Sequence, residues 1–248
     1  MRFKRLIFVV QRYFAGVVGG SERLAGLWAA LLQEACSVEI WTSCARETDK
    51  WANAFPAGYE QGPIPVRRFP VSQERDESWE SLHRQLVRDF NGWRREPQTI
   101  RADSLDWSYP CRLERWPLAL QMEWLRRQGP WTPTLWDALL EERQSQETAY
   151  VLTPYLYATT VISALLLPRG RTFIVPALHD EAPAYLPLIR ESLGAHQLLF
   201  LTRAERSLGL EFWPGASESP VIGLPVEPYD GQSFQAPQPY VLYAGRMD

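Results

Sequence analysis

Short runs of apolar residues alternate along the chain with segments whose apolar residues recur at helical spacing. The first run, Leu6 to Val10, is continuously apolar and partly β-branched, which is typical of a strand buried on both faces of a parallel sheet. After a loop that contains glycines, Ser21 is a good N-cap, and apolar residues from Leu24 to Ala35 recur every three or four positions. Val38 to Thr42 has the pattern of a second strand. A strand, a loop, a helix and a strand in this order predict a βαβ unit.

The pattern changes in the middle of the chain. Pro63 to Pro70 predicts a short strand framed by prolines, near an edge of the sheet. Between residues 72 and 148 no strand pattern is evident, and apolar residues step by three or four positions from Trp79 to Trp93. Thr132-Pro133 predicts the start of a further helix, because proline suits the first helical turn. We therefore expect residues 72–148 to form a helical insertion packed on the sheet.

Strands and helices alternate again after Tyr150. This order predicts an α/β fold, namely a Rossmann-like doubly wound parallel sheet, whose ligands bind beyond the carboxyl ends of the strands. The predicted strands cover residues 150–153, 171–178, 198–202 and 220–226, and the predicted helices cover 159–167, 183–193 and 204–212.

The last part of the chain differs in composition from what precedes it. Residues 227–239 are rich in Pro, Gly, Gln and Ser, which is typical of a linker. Residues 240–248 begin with a fresh buried-strand pattern. Because a single strand cannot bury its own two faces, we expect it to open a second domain that is truncated here, while residues 1–226 form the first domain.

Charge and composition exclude several classes of protein. The 248 residues include 26 basic and 29 acidic ones, a balance that argues against a nucleic-acid binder. No run of about 18 apolar residues exists, and the first apolar run is too short for a signal peptide, so we expect a cytoplasmic protein. Cys36, Cys44 and Cys111 form neither a CxxC pair nor a metal-binding spacing with histidines, so we expect reduced structural thiols and no metal.

The glycine loop before the first helix is the first candidate for chemistry. Gly19 and Gly20 would let backbone N–H groups approach a ligand, and a helix N-terminus suits a phosphate. The segment is neither a GxGxxG fingerprint nor a P-loop, and the second strand ends at Thr42 where an NAD-binding protein has an acidic residue. These differences argue against a dinucleotide oxidoreductase. A tight turn that binds no ligand stays open as an alternative.

Two further candidates follow predicted strands. His179, Asp180 and Glu181 come directly after one strand, where side chains face the crevice of an α/β fold, and histidine exchanges protons near neutral pH. The alternative is a helix-capping aspartate beside a structural histidine. Arg246 ends the last strand and is suited to bidentate phosphate contact, although a solvated surface arginine is the alternative.

Taken in order along nearly the whole chain, these pieces resemble family 4 glycosyltransferases, specifically bacterial-type members. Ser21 stands where many relatives have alanine, which is a mild departure from the family pattern. The matching segments are VVQRY (9–13), GGSE (19–22), VEIWTSCA (38–45), VRRFPV (66–71), WLRRQGPWTPTL (124–135), YLYATT (155–160), VPALHDE (175–181), LTRAE (201–205) and YVLYAGRMD (240–248).

The resemblance implies a GT-B enzyme with two Rossmann-like domains that face a cleft, the acceptor mostly on the first and the nucleotide sugar mostly on the second. Similar enzymes retain the anomeric configuration and usually need no metal or other cofactor. The Gly19-Gly20 loop would lie near the donor diphosphate, and His179 would be the catalytic residue that positions the transferred sugar. Asp180 and Glu181 would assist as neighbours, and Arg246 would contact the donor phosphate.

The resemblance also sets the expected partners. They are a nucleotide sugar, a glycan or lipid-linked acceptor at the inner membrane face, and the carboxy-terminal GT-B domain. The chain stops before the lysine and the acidic motif that hold the donor in relatives, so we expect little or no transferase activity from it alone. Two alternatives remain, a non-catalytic module that binds a glycan or a protein, and a dehydrogenase-like nucleotide binder, which the residues favour least.

Overall fold

The computed structural model describes residues 3–94, 116–225 and 231 of the chain. Its strands are β1 (Arg5–Val9), β2 (Ser37–Ser43), β3 (Gly58–Glu60), β4 (Val66–Phe69), β5 (Thr148–Leu152), β6 (Thr172–Ile174) and β7 (Gln197–Leu198). Its α-helices are α1 (Gly20–Leu32), α2 (Glu77–Arg94), α3 (Leu118–Gln128), α4 (Pro133–Glu142), α5 (Ala158–Leu166), α6 (Pro187–Gly194) and α7 (Arg203–Phe212).

The strands of the described residues join into one sheet in the order β3-β4-β2-β1-β5-β6-β7. Every neighbouring pair is parallel except β3 and β4, which are antiparallel. Strand β1 lies between β2 and β5, with Val9 in register with Trp41 on one side and Leu152 on the other. The strand order therefore reverses at β1, which is the topological switch point where α/β sheets bind ligands. The predicted Rossmann-like, doubly wound sheet is confirmed.

Both faces of β1 are buried, as its continuous apolar run predicts. Phe8 and Val10 pack with Leu24 of α1 on one face of the sheet. Ile7 and Val9 belong to a larger core on the other face, which contains the helices of the insertion. Because successive side chains of a strand point to opposite faces, one uninterrupted run serves both cores.

The helical insertion is present in the described residues as α2, α3 and α4. Its large rings fill the second core, where Trp124 is fully buried and Trp116 and Trp136 are nearly so. Residues 95–115 lie outside the described part of the chain, as do the predicted linker 227–239, apart from Gly231, and the predicted strand in 240–248 with Arg246. The domain boundaries therefore stay predictions.

Two predictions about helices differ from the structure. Helix α1 begins at Gly20 with Gly19 as N-cap, so Ser21 lies in the first turn, where its hydroxyl donates to Glu22 instead of capping the helix. The predicted helix 183–193 is divided into a 3₁₀ turn (Ala182–Tyr185) and α6, because Leu186 precedes a proline and takes an extended conformation.

The predicted strands near the carboxyl end of the domain are shorter than expected. The run 171–178 pairs only at Thr172–Ile174, since Pro176 lacks the N–H group that a ladder requires. The runs 198–202 and 220–226 meet only at an isolated bridge between Phe200 and Val221 beyond β7. The exposed edge strand β3 was not predicted.

Candidate ligand cleft at the carboxyl edge of the sheet

Two adjoining cavities form a cleft beyond the carboxyl ends of β1 and β6. The apolar cavity has a volume of about 520 Å³ and extends toward α7, and the polar cavity has a volume of about 330 Å³ and extends toward β5. Gly20, Ser21, Ala177 and His179 line both of them. The glycine loop and the histidine segment therefore face a shared space, although they are far apart in the chain.

The glycine turn brings the N-terminus of α1 to the cleft without a covering side chain. At Gly19 a Cβ atom would lie 2.0 Å from Oε2 of Glu22, so no larger residue fits while Glu22 keeps its place. Gly20 opens the helix, and a Cβ atom there would meet only open space. The free N–H groups and the positive end of the helix dipole are thus exposed to the cleft, an arrangement that suits an anion.

A buried ion pair supports this turn from behind. Glu22 is only 3% exposed, and its Oε1 accepts a hydrogen bond of 2.6 Å from Nε of Arg12. Its Oε2 accepts from the Ser21 hydroxyl at 2.8 Å, and that hydroxyl accepts from Nε2 of Gln11 at 3.2 Å. Arg12 also donates to the carbonyl oxygen of Arg46 at 2.7 Å. These bonds fix the turn to the loops that follow β1 and β2.

The backbone that presents His179 is held by a buried glutamate. Ala177 has a φ of 49°, a left-handed conformation that costs a non-glycine residue about 1 kcal/mol or more. Glu205 of α7, 8% exposed, accepts from the backbone N–H of Leu178 at 2.9 Å and from that of Leu201 at 2.5 Å. One carboxylate thus joins the segments that follow β6 and β7. The His179 side chain is exposed at the cleft.

Asp180 is engaged on both carboxylate oxygens. The Tyr185 hydroxyl donates to Oδ1 at 2.8 Å, and Arg94 at the end of α2 donates to Oδ2. Burial is the largest single influence and would raise the pKa of Asp180, but hydrogen bonds from Arg94 and Tyr185, with the charge of Arg94, lower it below its ordinary value. Although Asp180 lines the apolar cavity, these bonds connect the histidine segment to the helical insertion.

Glu181 lines the polar cavity and is oriented by a buried tyrosine. The hydroxyl of Tyr155, which is 1% exposed, donates to Oε1 of Glu181 at 2.5 Å. Burial and the charge of Glu181 raise the pKa of Tyr155 well above its ordinary value, so the hydroxyl keeps its proton. Gln11 lines the same cavity, and its buried Oε1 has no hydrogen-bond partner among the described residues. The polar cavity therefore offers a fixed carboxylate to a ligand.

Five of the six site residues predicted from the sequence meet at this cleft, namely Gly19, Gly20, His179, Asp180 and Glu181. Arg246 lies outside the described residues.

The supporting residues Arg12, Glu22, Tyr155 and Glu205 were not predicted. A signal existed for Glu205 alone, because Thr202 and Glu205 have the spacing of a capping box, and the Thr202 side chain does accept from the N–H of Glu205 at 3.0 Å.

The arrangement can bind an anion at the helix N-terminus and hold a polar ring beside an imidazole. The described residues contain no group of three or more His, Cys, Asp or Glu side chains that could hold a metal ion. Among them, no helix is both long and apolar enough to cross a bilayer.

No protein-family model matches the chain, and no curated protein matches it. Solved structures that match include the E. coli trehalose-6-phosphate protein bound with UDP-2-fluoro glucose, at 17% identity over 84% of this chain with a TM-score of 0.39. Another is the α,α-trehalose 6-phosphate synthase from Burkholderia multivorans, at 14% identity over 86% of this chain with a TM-score of 0.45. The chain spans 42% of the length of each of these two proteins.

Proposed function

We propose that the chain is the acceptor-side domain of a retaining GT-B glycosyltransferase of the bacterial family 4 type, and that its cleft binds a nucleotide sugar next to a glycan or lipid-linked acceptor. The observation that carries the proposal is the shared cleft of the glycine turn and His179 at the switch point of the sheet. Both features are needed in one place, since the donor carries a diphosphate and a sugar side by side.

Each side of the cleft takes one part of the donor in this proposal. The N-terminus of α1 at Gly19 and Gly20 stabilises the negative charge that develops on the diphosphate as the bond to the sugar breaks. His179 hydrogen-bonds a hydroxyl of the transferred sugar and sets its orientation. The bond between the anomeric carbon and the phosphate oxygen breaks, and a bond to the acceptor oxygen forms. The proton of the acceptor hydroxyl leaves with the nucleoside diphosphate.

Glu181 and the second domain complete the proposed site. Glu181, held by Tyr155, is placed to accept a hydrogen bond from a sugar hydroxyl. In the family pattern a further domain, which residues 240–248 would open, supplies Arg246 and more of the donor contacts, and this chain alone should bind the donor weakly through the diphosphate and sugar contacts described above. We expect turnover only when both domains are present, without a metal, in the cytoplasm and next to the inner membrane face where the acceptor is lipid-linked.

A binding experiment on this chain tests the assignment directly. UDP-, GDP- and dTDP-glucose, with NADH as a competing class, are titrated by saturation-transfer NMR. We expect one nucleotide sugar to bind more tightly than NADH, and Gly20→Trp to weaken it at least tenfold by covering the helix N-terminus. Gly170→Trp is the matched control, because a Cβ atom at Gly170 also meets open space but lies outside the cleft.

A second variant separates the role of the histidine from that of the turn. His179→Ala should weaken the nucleotide sugar more than the corresponding free nucleoside diphosphate, because the lost contact is to the sugar. Equal losses for both ligands, or no nucleotide-sugar binding by the native chain, would contradict the proposal. Binding of glycans without nucleotide sugars would instead favour a non-catalytic module.

A further inference from the structure

A third cavity, of about 610 Å³, lies at the β3–β4 end of the same carboxyl edge, and we name it the edge cavity. It has no lining residue in common with the two cavities of the cleft. One hydrogen bond nevertheless connects them, since Arg12 lines the polar cavity and donates to the carbonyl of Arg46, which lines the edge cavity. Residues that line the two cavities are therefore in direct contact.

Aromatic rings form one part of the edge cavity. Phe14 and Phe55 have ring centres 5.6 Å apart at an interplanar angle of 36°. The Arg46 guanidinium lies 5.5 Å from the centre of the Phe14 ring, and that of Arg68 lies 4.4 Å from the Phe55 ring. Small residues, Ala57 among them, leave the space beside the rings open. Flat apolar surface with a few placed polar groups is the usual lining of a small-molecule site.

The polar part of the edge cavity is a carboxylate in a fixed orientation. Oε2 of Glu60 accepts from Nε of Arg68 at 2.9 Å and from Nη2 at 2.7 Å. The Arg68 side chain is only 3% exposed, and it also donates to the carbonyl of Tyr13 at 2.6 Å. The Glu60 side chain is 59% exposed, and its Oε1 receives no hydrogen bond from the described residues. A buried cation thus orients an exposed acceptor before any ligand arrives.

This chemistry favours a neutral, hydroxyl-bearing ring over an anion. The charge of Arg68 is compensated by Glu60, and that of Arg46 by Glu47, whose Oε1 lies 3.8 Å from Nε of Arg46. Glu60 itself would repel a phosphate or carboxylate placed beside it. A carboxylate with a free oxygen accepts hydrogen bonds from hydroxyl groups, while the C–H face of a sugar packs against aromatic rings. The cavity volume lies within the range of roughly 300–1,000 Å³ that is usual for such sites.

We propose that the edge cavity binds a sugar residue of an extended glycan acceptor, at least one residue away from the hydroxyl that reacts in the cleft. The acceptor is then an oligosaccharide and not a free monosaccharide. The link to transfer rests on the proposed function, whereas glycan binding at the edge cavity does not depend on it.

The experiment fills the edge cavity and measures glycan binding to the full chain. Maltotetraose, cellotetraose and chitotetraose are compared with glucose and N-acetylglucosamine by saturation-transfer NMR. We expect at least one tetrasaccharide to bind at least tenfold more tightly than the monosaccharides, and Ala57→Trp to weaken it at least tenfold. Ala30→Trp, on the exposed face of α1 and outside every cavity described above, is the matched control and should change nothing.

Two more measurements keep the outcomes distinct. Glu60→Gln keeps the shape of the side chain, and it should weaken the tetrasaccharide about threefold to tenfold because a neutral acceptor forms weaker hydrogen bonds. Absence of tetrasaccharide binding, or equal binding by native chain and Ala57→Trp, overturns the inference. Nucleotide sugars are titrated on the same samples: their failure to bind would overturn the proposed function while tetrasaccharide binding still upheld the edge cavity.

Discussion

The two sides of the cleft are built in opposite ways. On the glycine side, the groups that support the turn are near it in the chain, with Arg12 and Gln11 each ten positions from their partners Glu22 and Ser21. On the histidine side most supports come from farther away: Glu205 is 27 positions from Leu178, and Arg94 is 86 positions from Asp180, although Tyr185 is only five positions from Asp180. The glycine side is thus built mostly from nearby residues of the chain, whereas the histidine side forms only when several elements have packed together.

The two sides also offer different groups to a ligand. The glycine turn itself presents backbone N–H groups, because Gly19 and Gly20 have no side chains. The histidine side presents three side chains, of which Asp180 and Glu181 are already bonded to Tyr185 and Tyr155. Among the described residues no hydrogen-bond partner of the His179 side chain is present, so the imidazole remains available. The glycine side is therefore suited to bind an anion, and the histidine side is suited to hydrogen-bond a polar group of the same ligand.

Of the variants considered, removal of the Glu205 carboxylate should destabilise the histidine side most. Glu205→Ala leaves the N–H groups of the buried Leu178 and the half-buried Leu201 without acceptors, at a cost of about 1–3 kcal/mol each, so we expect a loss of about 3 kcal/mol in the free energy of unfolding. Urea denaturation measures this loss, and nucleotide-sugar binding should disappear in the folded variant.

Glu211→Ala on the same helix is the control for that variant. Glu211 is exposed, so its removal should change the free energy of unfolding by less than about 0.5 kcal/mol. A Glu205→Ala chain as stable as this control would show that the histidine segment does not depend on α7.

The sequence predicts the glycine side of the cleft better than it predicts the histidine side. Strand β1, the glycine loop, α1 and β2 were predicted in order, because apolar periodicity and glycine act over a few residues. The placement of His179 at the carboxyl edge of the sheet was also predicted, although β6 ends at Ile174, five residues before His179. Its supports were not predicted, since Arg94 on α2, Tyr155 in the loop after β5 and Glu205 on α7 meet only when the whole domain has packed.

One of the differences between prediction and structure follows from a local sequence signal. Pro187 stands inside the predicted helix 183–193, and the residue before a proline avoids the helical conformation, so the break at Leu186 follows from sequence alone. In contrast, nothing in the periodicity indicates that Arg12 turns inward to pair with Glu22. A buried ion pair of this kind depends on where the loops after β1 and β2 meet.

A double-mutant cycle tests whether the glycine side is a local unit. Glu22→Ala should cost about 2–3 kcal/mol, because it leaves the Arg12 side chain, 12% exposed, without its close partner. Gly19→Ala should cost about 1–2 kcal/mol, because the new methyl group displaces the Glu22 carboxylate from that ion pair. In the double variant the clash between the new methyl group and the carboxylate is absent. Its loss in unfolding free energy should therefore be smaller than the sum of the two single losses by about 1 kcal/mol or more.

The readout of the cycle is the unfolding free energy of the four chains in urea. Gly20→Ala serves as the control glycine, because a Cβ atom there meets open space, and it should cost nothing. If the losses of Gly19→Ala and Glu22→Ala in unfolding free energy are strictly additive, the Glu22 carboxylate is not the reason why position 19 needs a glycine.

Removing one hydroxyl tests the support of Glu181. Tyr155→Phe deletes the donor that lies 2.5 Å from Oε1 of Glu181 and keeps the buried ring, so we expect a loss of about 1–2 kcal/mol. Thermal and urea unfolding measure it, with Tyr59→Phe as the control at a tyrosine that is 55% exposed. If Glu181 needs this orientation, nucleotide-sugar binding weakens in Tyr155→Phe but not in Tyr59→Phe, because Tyr59 lies outside the cleft. Equal nucleotide-sugar binding by both variants would mean that the bond from Tyr155 does not position Glu181 for the ligand.

The smallest expected effect is the pH dependence of the bond between the histidine segment and α2. Because the folded pKa of Asp180 is lower than its ordinary value, its contribution to stability is present above the unfolded pKa of about 3.9 and is lost as the pH falls through the folded pKa. At pH 7 Asp180→Asn should therefore cost less than about 1 kcal/mol, since Asp180 and Arg94 are both more than 40% exposed.

The difference in unfolding free energy between Asp180→Asn and the native chain should shrink as urea unfolding is repeated at pH values from 7 down to 3. Asp137→Asn, at an exposed carboxylate of α4, should show no such change. A cost for Asp180→Asn that stays constant across this range would mean that the Arg94–Asp180 pair does not hold the histidine side, and only Glu205 and Tyr155 would remain as its supports.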